Sequence, residues 1–278
     1  MIQIITDSAS DITADQAKEM NIHVVPLHIE FEDGLCPQET ESDFALFYEK
    51  LKVAKELPKT SSPAPESYLH YFTKAKEEGD GVIVITISSG LSGTVASAEL
   101  AKKLSGYDKI EVIDSYQAIM SQRYVVEKAV YLRDQGFEFE EIVRQVKDMR
   151  SKVAVAGMLD TLTYLEKGGR IPAPLAYIGN AISIKPTIVL KDKSLKKLKV
   201  CRGRKAAKKA LWEMFEKDNV DYSYPITFGY SSDRSLGIEF QEESIEKYGL
   251  KNTRLVPVGG VIGTHVGHGC ISISYVKK

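Results

Sequence analysis

At 278 residues the chain has room for one large domain or two modest ones with sizeable cores. Its 37 basic and 38 acidic side chains leave a net charge of −1, so no global field draws it to nucleic acid or a membrane surface. No run of about 18 apolar residues occurs, which excludes a spanning helix, and Cys36, Cys201 and Cys270 are too scattered for a disulfide framework or a Cys-x-x-Cys zinc site.

Met1 to Asp7 lacks a basic leader and meets an acid early, so Ile2–Thr6 reads as a first strand rather than a signal peptide. With its inert thiols the chain is expected in the cytoplasm. Thr13 and Gln16 have capping-box spacing for a short helix. Ile22–Phe31 is apolar and β-branched, with a turn at Asp33-Gly34. Phe44–Leu51 reads as helix, and Pro65 suits the first turn of a helix through Lys76. Val82–Ile85 is a wholly apolar strand of the buried parallel kind. A Ser/Gly loop and a helix through Leu104 follow it. Then come a strand at Ile110–Ile113 and helices near Ala118–Asp134 and Glu138–Arg150. This alternation predicts a doubly wound, mainly parallel α/β domain over residues 1–155.

The remainder reads differently. Val153–Met158 suggests a strand, and Thr161–Glu166 a short helix stopping at Gly168-Gly169-Arg170. Ile182–Leu190 and Leu195–Val200 flank Lys191-Asp192-Lys193-Ser194 as a hairpin. Helices at Lys205–Lys217 and Ser235–Lys247 alternate with strands at Ile226–Tyr230, Arg254–Val258 and Cys270–Val276. That pattern predicts an α+β domain with a mixed or antiparallel sheet over residues 156–278.

Three polar, turn-rich segments stand out. Val258–Gly269 packs five glycines around Thr264 and His265. The others are Thr60-Ser61-Ser62-Pro63 and Ser88–Thr94. Together they suggest one shared polar site. Ser88–Thr94 lies between an apolar strand and a helix, where free N–H groups and the helix dipole favour a phosphate or a carboxylate. Sharper motifs fail. No Gly-Lys pair exists for a Walker A loop, Thr94 replaces the closing glycine of a nucleophile elbow, and no Gly-x-Gly-x-x-Gly follows a strand. Ser92, His265 and Asp7 or Asp114 could form a hydrolase triad only if the fold supplies the geometry. His265 and His268 are separated by Gly267, which argues against a metal-binding helix, and His23 and His28 on one strand would face opposite sides. Asp7, Ser8, Ser10 and Asp11 follow the first strand, at the ligand-bearing edge of an α/β sheet or simply in a capped turn. Arg170 places a bidentate cation beside a glycine turn. Lys191–Lys209 holds ten basic residues and one acid. It reads as a solvated face or a docking surface for an acidic partner. It has no aromatic residue for stacking on single-stranded nucleic acid.

Taken in order, these segments resemble the DegV family of bacterial fatty-acid-binding proteins, which includes the FakB proteins. The resemblance runs through Thr6–Asp11, Thr60–Pro63, Ser92-Gly93-Thr94, Asp114-Ser115, Tyr164–Ile171, Lys185-Pro186 and the terminal Gly-Thr-His-Val-Gly. It implies two α/β domains with a long-chain fatty acid between them and its tail in an apolar tunnel, mostly in the second domain. The carboxylate would sit at the junction, held by Thr60, Ser61, Ser92, Gly93, Thr94 and His265, with Arg170 binding or orienting. Met158, Leu159, Tyr164, Ile178 and Ile188 become tunnel candidates. The chain would be a monomeric carrier without a cofactor. It would present the acid to a separate ATP-dependent fatty acid kinase, docking it through Arg202, Arg204 and Lys205, and the acyl phosphate would feed phospholipid synthesis. Gly260 and His268 depart from the family pattern, which usually has proline at both places. His268 is expected to face solvent.

Overall fold

The computed structural model describes residues 1–171 and 184–278. Ile178 and the first two residues of the strand expected from Ile182 lie outside the described residues. The chain begins β1 (Ile2–Asp7), α1 (Ala14–Glu19), β2 (His23–Val25), β3 (His28–Phe31), β4 (Gly34–Leu35), α2 (Glu41–Val53) and β5 (Lys59–Ser61). It continues α3 (Glu66–Glu78), β6 (Gly81–Thr86), α4 (Thr94–Ser105), β7 (Ile110–Asp114), α5 (Ile119–Asp134) and α6 (Phe139–Lys152). Then follow β8 (Val153–Met158), α7 (Thr163–Lys167), β9 (Ile184–Lys191), β10 (Ser194–Arg202), α8 (Gly203–Lys217), β11 (Ile226–Tyr230), α9 (Arg234–Tyr248), β12 (Thr253–Pro257), α10 (Gly260–Val266) and β13 (Ile271–Val276).

The first sheet has the order β2-β1-β6-β7 and is parallel throughout. Central β6 is buried along its whole length, as its unbroken apolar run requires. Alternate residues serve opposite faces. Ile4, Ile83, Ile85 and Ile113 pack on α5 and α6, while Ile5, Val82, Val84 and Val112 pack on α3 and α4. This is the expected doubly wound arrangement. Thr13 and Gln16 form the capping box that starts α1. The stretch Ile22–Phe31 is not one strand: β2 joins the parallel sheet, whereas β3 joins a small antiparallel sheet of order β4-β3-β5. Pro26, which has no N–H to donate to a ladder, separates them. His23 and His28 therefore belong to different sheets, not to opposite faces of one strand.

The second large sheet is mixed, with order β10-β9-β8-β13-β11-β12 and antiparallel pairs except β11 with β12. One face, including Ala156, Met158, Phe228, Ile273 and Tyr275, is covered by α8 and α9. The other turns toward the parallel sheet and α5. There the Tyr124 hydroxyl lies 2.7 Å from Thr227 Oγ1 and 2.5 Å from the Pro225 carbonyl oxygen, and Arg254 pairs with Glu127 at 2.6 Å. No helix among the described residues is long and apolar enough to cross a membrane.

The glycine-rich stretch near the end, expected as a turn, is the short helix α10. Glycine suits close packing here: a Cβ at Gly260 would stand 2.6 Å from the Phe47 ring, and one at Gly263 would stand 2.7 Å from it. The helix start is anchored by the first part of the chain. Asp11 Oδ1 accepts from Gly259 N at 3.1 Å, Gln38 Oε1 accepts from Gly260 N, and the Tyr48 hydroxyl donates to Val258 O at 2.9 Å. A proline at position 260 could not make the bond to Gln38.

Candidate functional site

The three polar segments do converge. Thr60 lies in β5, paired with Ile29 of β3, and its Oγ1 is 3.1 Å from Nε2 of His265 in α10. Ser62, just past β5, has its hydroxyl 3.3 Å from that of Ser92, in the loop between β6 and α4. The Ser92 hydroxyl is in turn 2.8 Å from Thr94 Oγ1. Ser61, Ser62, Ser92, Thr60, His265 and Arg170 all line one cavity. Thr94 does not. It is fully buried at the first turn of α4 and stands behind Ser92. Gly93 is the N-cap residue of that helix, and a Cβ there would be 3.2 Å from the Ser62 hydroxyl. Thr264 also points elsewhere, its hydroxyl donating to Gly260 O within α10.

Arg170 follows α7 and is held by two carbonyls, Nε to Leu91 O at 3.3 Å and Nη1 to Gly168 O at 2.6 Å. Burial, reinforced by the Arg170 cation, lowers the His265 pKa to about 4, so the ring is neutral at pH 7. Among the described residues its Nδ1 is buried without a hydrogen-bond partner. Gly168 makes room for the ring, because a Cβ there would stand 2.3 Å from Nδ1. His268, expected in solvent, is instead half-buried with its ring centroid 5.6 Å from that of Tyr48.

The hydrolase set is not assembled. Among the described residues His265 bonds to Thr60 rather than to Ser92, and no carboxylate reaches its ring. Asp7 accepts from Ile87 N, Ala9 N and Gln122 Nε2, and burial raises its pKa to about 6. Asp114 accepts from Ser89 and pairs with Lys193.

Away from the hydroxyl cluster, His265 and Arg170 the cavity is lined mainly by apolar side chains, with Ser272 an exception, and its volume is about 340 Å³, within the usual range for a small-ligand site. Of the expected tunnel residues, Leu159 and Ile188 line it. Met158 points to the opposite face of its sheet, and Tyr164 packs over Gly267 instead. Ile178 lies outside the described residues. Leu27, Ile87, Leu91, Ala118 and Ile119 of the first part of the chain also form walls. Val155, Gly157 and Leu159 enter through strand alternation, a signal visible in the sequence once β8 is assigned.

On the surface, Arg202 and Lys205 are exposed at the start of α8. Arg204 is engaged by Asp160 at 3.2 Å, which also pairs with Lys185 at 2.8 Å. Among the described residues no group of three His, Cys, Asp or Glu side chains could hold a metal ion.

A family model described as "Uncharacterised protein, DegV family" matches residues 1–278. A protein of Thermotoga maritima named fatty acid-binding protein is 30% identical over 276 residues, covering 97% of this chain and 96% of its own. A crystal structure described as a stearic acid-binding protein from Eubacterium ventriosum superposes with a TM-score of 0.85 at 27% identity, covering 100% of this chain and 99% of that one. A Streptococcus pneumoniae Fatty Acid Kinase (Fak) B3 protein loaded with linoleic acid has the same fold, with a TM-score of 0.85 at 24% identity and full coverage of both chains.

Proposed function

Since this chain belongs to the DegV family, we propose that it binds a long-chain fatty acid in the cavity between its two large sheets and presents the carboxylate to a separate ATP-dependent kinase. The observation that carries the binding half is the cavity itself, apolar over most of its wall and polar where Thr60, Ser61, Ser62, Ser92, Arg170 and His265 gather. An amphiphile with one anionic end matches that division. Burying a roughly 16-carbon tail gains on the order of 10 kcal/mol at about 0.8 kcal/mol per CH₂, before ordering costs. Thr60 and Ser92 supply hydroxyl donors, with Thr94 and Ser62 orienting Ser92. Neutral His265 offers one ring N–H, and Arg170 provides the positive charge. Held mainly by hydroxyl donors, the carboxylate would keep one oxygen able to attack the γ-phosphorus of ATP, with ADP as the leaving group.

In this reading the chain is a monomeric carrier that needs no cofactor, and the kinase is the catalyst. The kinase half rests on the family resemblance and on the exposed Arg202 and Lys205. Acyl phosphate for phospholipid synthesis would be the product, made in the cytoplasm. We place the domain division at the start of β8, a little before residue 155, so that this strand stays whole in the six-stranded sheet. Titration with a long-chain fatty acid and with its methyl ester tests the site. The acid should saturate at one per chain and the ester should bind far more weakly. Equal binding of both would remove the assigned head-group role.

A further inference from the structure

The β9–β10 hairpin joins its sheet through the middle of β9, and Leu190 and Leu195 nearer its tip pack against the apolar core. β9 pairs with β8 at Thr187, Ile188 and Val189, and the tip beyond them overhangs the ladder. Leu190 and Leu195 of this overhang form part of the cavity wall. The turn at Asp192 and Lys193, with φ of 51° and 67°, rests on the loop after β6. Ser88 Oγ donates to Lys193 O at 2.8 Å, and Lys193 Nζ lies 3.2 Å from Asp114 Oδ2. The contact is close enough to require a glycine opposite, because a Cβ on Gly90 would stand 2.1 Å from the Lys193 carbonyl oxygen. In β10 the register shifts between Lys197 and Lys199, a local break in the ladder near the base of the overhang. On the α5 side the two sheets are tied by the buried Tyr124 hydroxyl and by the Arg254–Glu127 pair. Among the described residues the hairpin tip is held by a hydrogen bond from Ser88, an ion pair to Asp114 whose lysine is 44% exposed, and the same ammonium 4.5 Å from the centre of the Tyr116 ring.

We infer that residues 190–195 form a flap over the cavity, latched on Ser88, Gly90 and Asp114, whose release sets how fast a long-chain carboxylate enters and leaves. The inference rests on the cavity being the ligand site, so its test carries a readout that needs no ligand. Cys270 lines the cavity and is buried, whereas Cys36 is buried outside its walls. Gly90→Ala should lift the tip by steric contact alone, since Gly90 is exposed in its loop. Lys193→Gly removes the ion pair together with the contact on the Tyr116 ring and suits the positive φ.

In both variants a maleimide should label Cys270 roughly threefold to fivefold faster than in wild type, the scale of one lost hydrogen bond or half-exposed ion pair. Cys36 labelling should not change, amide exchange at 190–195 should rise, and a fluorescent long-chain fatty acid should dissociate faster by a similar factor. Wild-type rates of Cys270 labelling in both variants would overturn the flap. Faster labelling with unchanged dissociation would also overturn it, because the ligand would then leave by another route. Should wild-type protein take up no fatty acid, the binding proposal falls, and the Cys270 rates alone decide whether the flap gates the cavity.

Discussion

Gly157→Leu tests whether the apolar walls measure the tail. Gly157 lies in β8 on the face that lines the cavity, and a Cβ added there would have only ordinary contacts, 3.4 Å from Ile271 O and 3.5 Å from Ser272 Cβ. The backbone is extended, so leucine adds no φ strain there. Its four side-chain carbons would enter a space of about 340 Å³. Displacing roughly three methylenes of a full-length tail costs about 2.4 kcal/mol at ~0.8 kcal/mol each, or roughly 50-fold in affinity. A tail shorter by about three or four carbons should escape most of that loss. Calorimetric titration of wild type and variant with saturated acids of increasing length would show the optimum moving to shorter chains. A loss of equal size at every length, or none for the longest acid, would refute the placement of the tail.

Thr60→Val removes the hydroxyl beside His265 and should weaken the fatty acid by about 1–2 kcal/mol while barely changing its methyl ester, as the paired titration would show. Two buried groups make opposite pH contributions to the stability of the ligand-free protein. His265 titrates near 4 when folded against 6.5 as its ordinary value, so the unfolded chain takes the proton first and stability falls by about 3 kcal/mol as pH drops from 6.5 to 4. Asp7 titrates near 6 against 3.8, so the folded chain takes the proton first and stability rises by a similar amount as pH drops from 6 to 4. Urea unfolding across that window should show the first slope missing in His265→Asn and the second missing in Asp7→Asn, and a parallel pair of curves would contradict the burial argument. Reversing charge with Arg202→Glu should lower acyl-phosphate formation with the kinase and leave fatty acid affinity unchanged; unaltered turnover would remove Arg202 from the docking surface.

Much of this fold was readable because local signals and burial agree. The wholly apolar β6 is the central strand, and the Thr13 capping box and Pro65 mark the helix starts they predict. The α10 segment was not readable as helix. Gly260 and Gly263 disfavour helix locally. What holds them helical is tertiary, namely close contact with Phe47 and the hydrogen bonds that Gly259 N and Gly260 N donate to Asp11 and Gln38, residues more than two hundred positions away. The hydroxyl segments were visible as a group, yet their orientations were not. A βα loop rich in Ser, Gly and Thr says nothing about which hydroxyl faces a cavity, and Thr94 turns inward while Ser92 faces it. The tunnel was less legible still. Ile87, Leu190 and Val261 read as buried, and an apolar pattern reports burial without distinguishing a filled core from an open cavity. Met158 shows the cost of that ambiguity, since it is buried one residue away from the cavity wall on the wrong face of β8.

The central claim is that this chain holds one fatty acid, and mass spectrometry of the purified protein meets it most directly. Under native conditions the account predicts a stoichiometric addition of a few hundred daltons, either carried from the cell or acquired on incubation with fatty acids. Denaturation and organic extraction should recover it as free acid. A mass equal to the bare chain, unchanged after that incubation, would contradict the account.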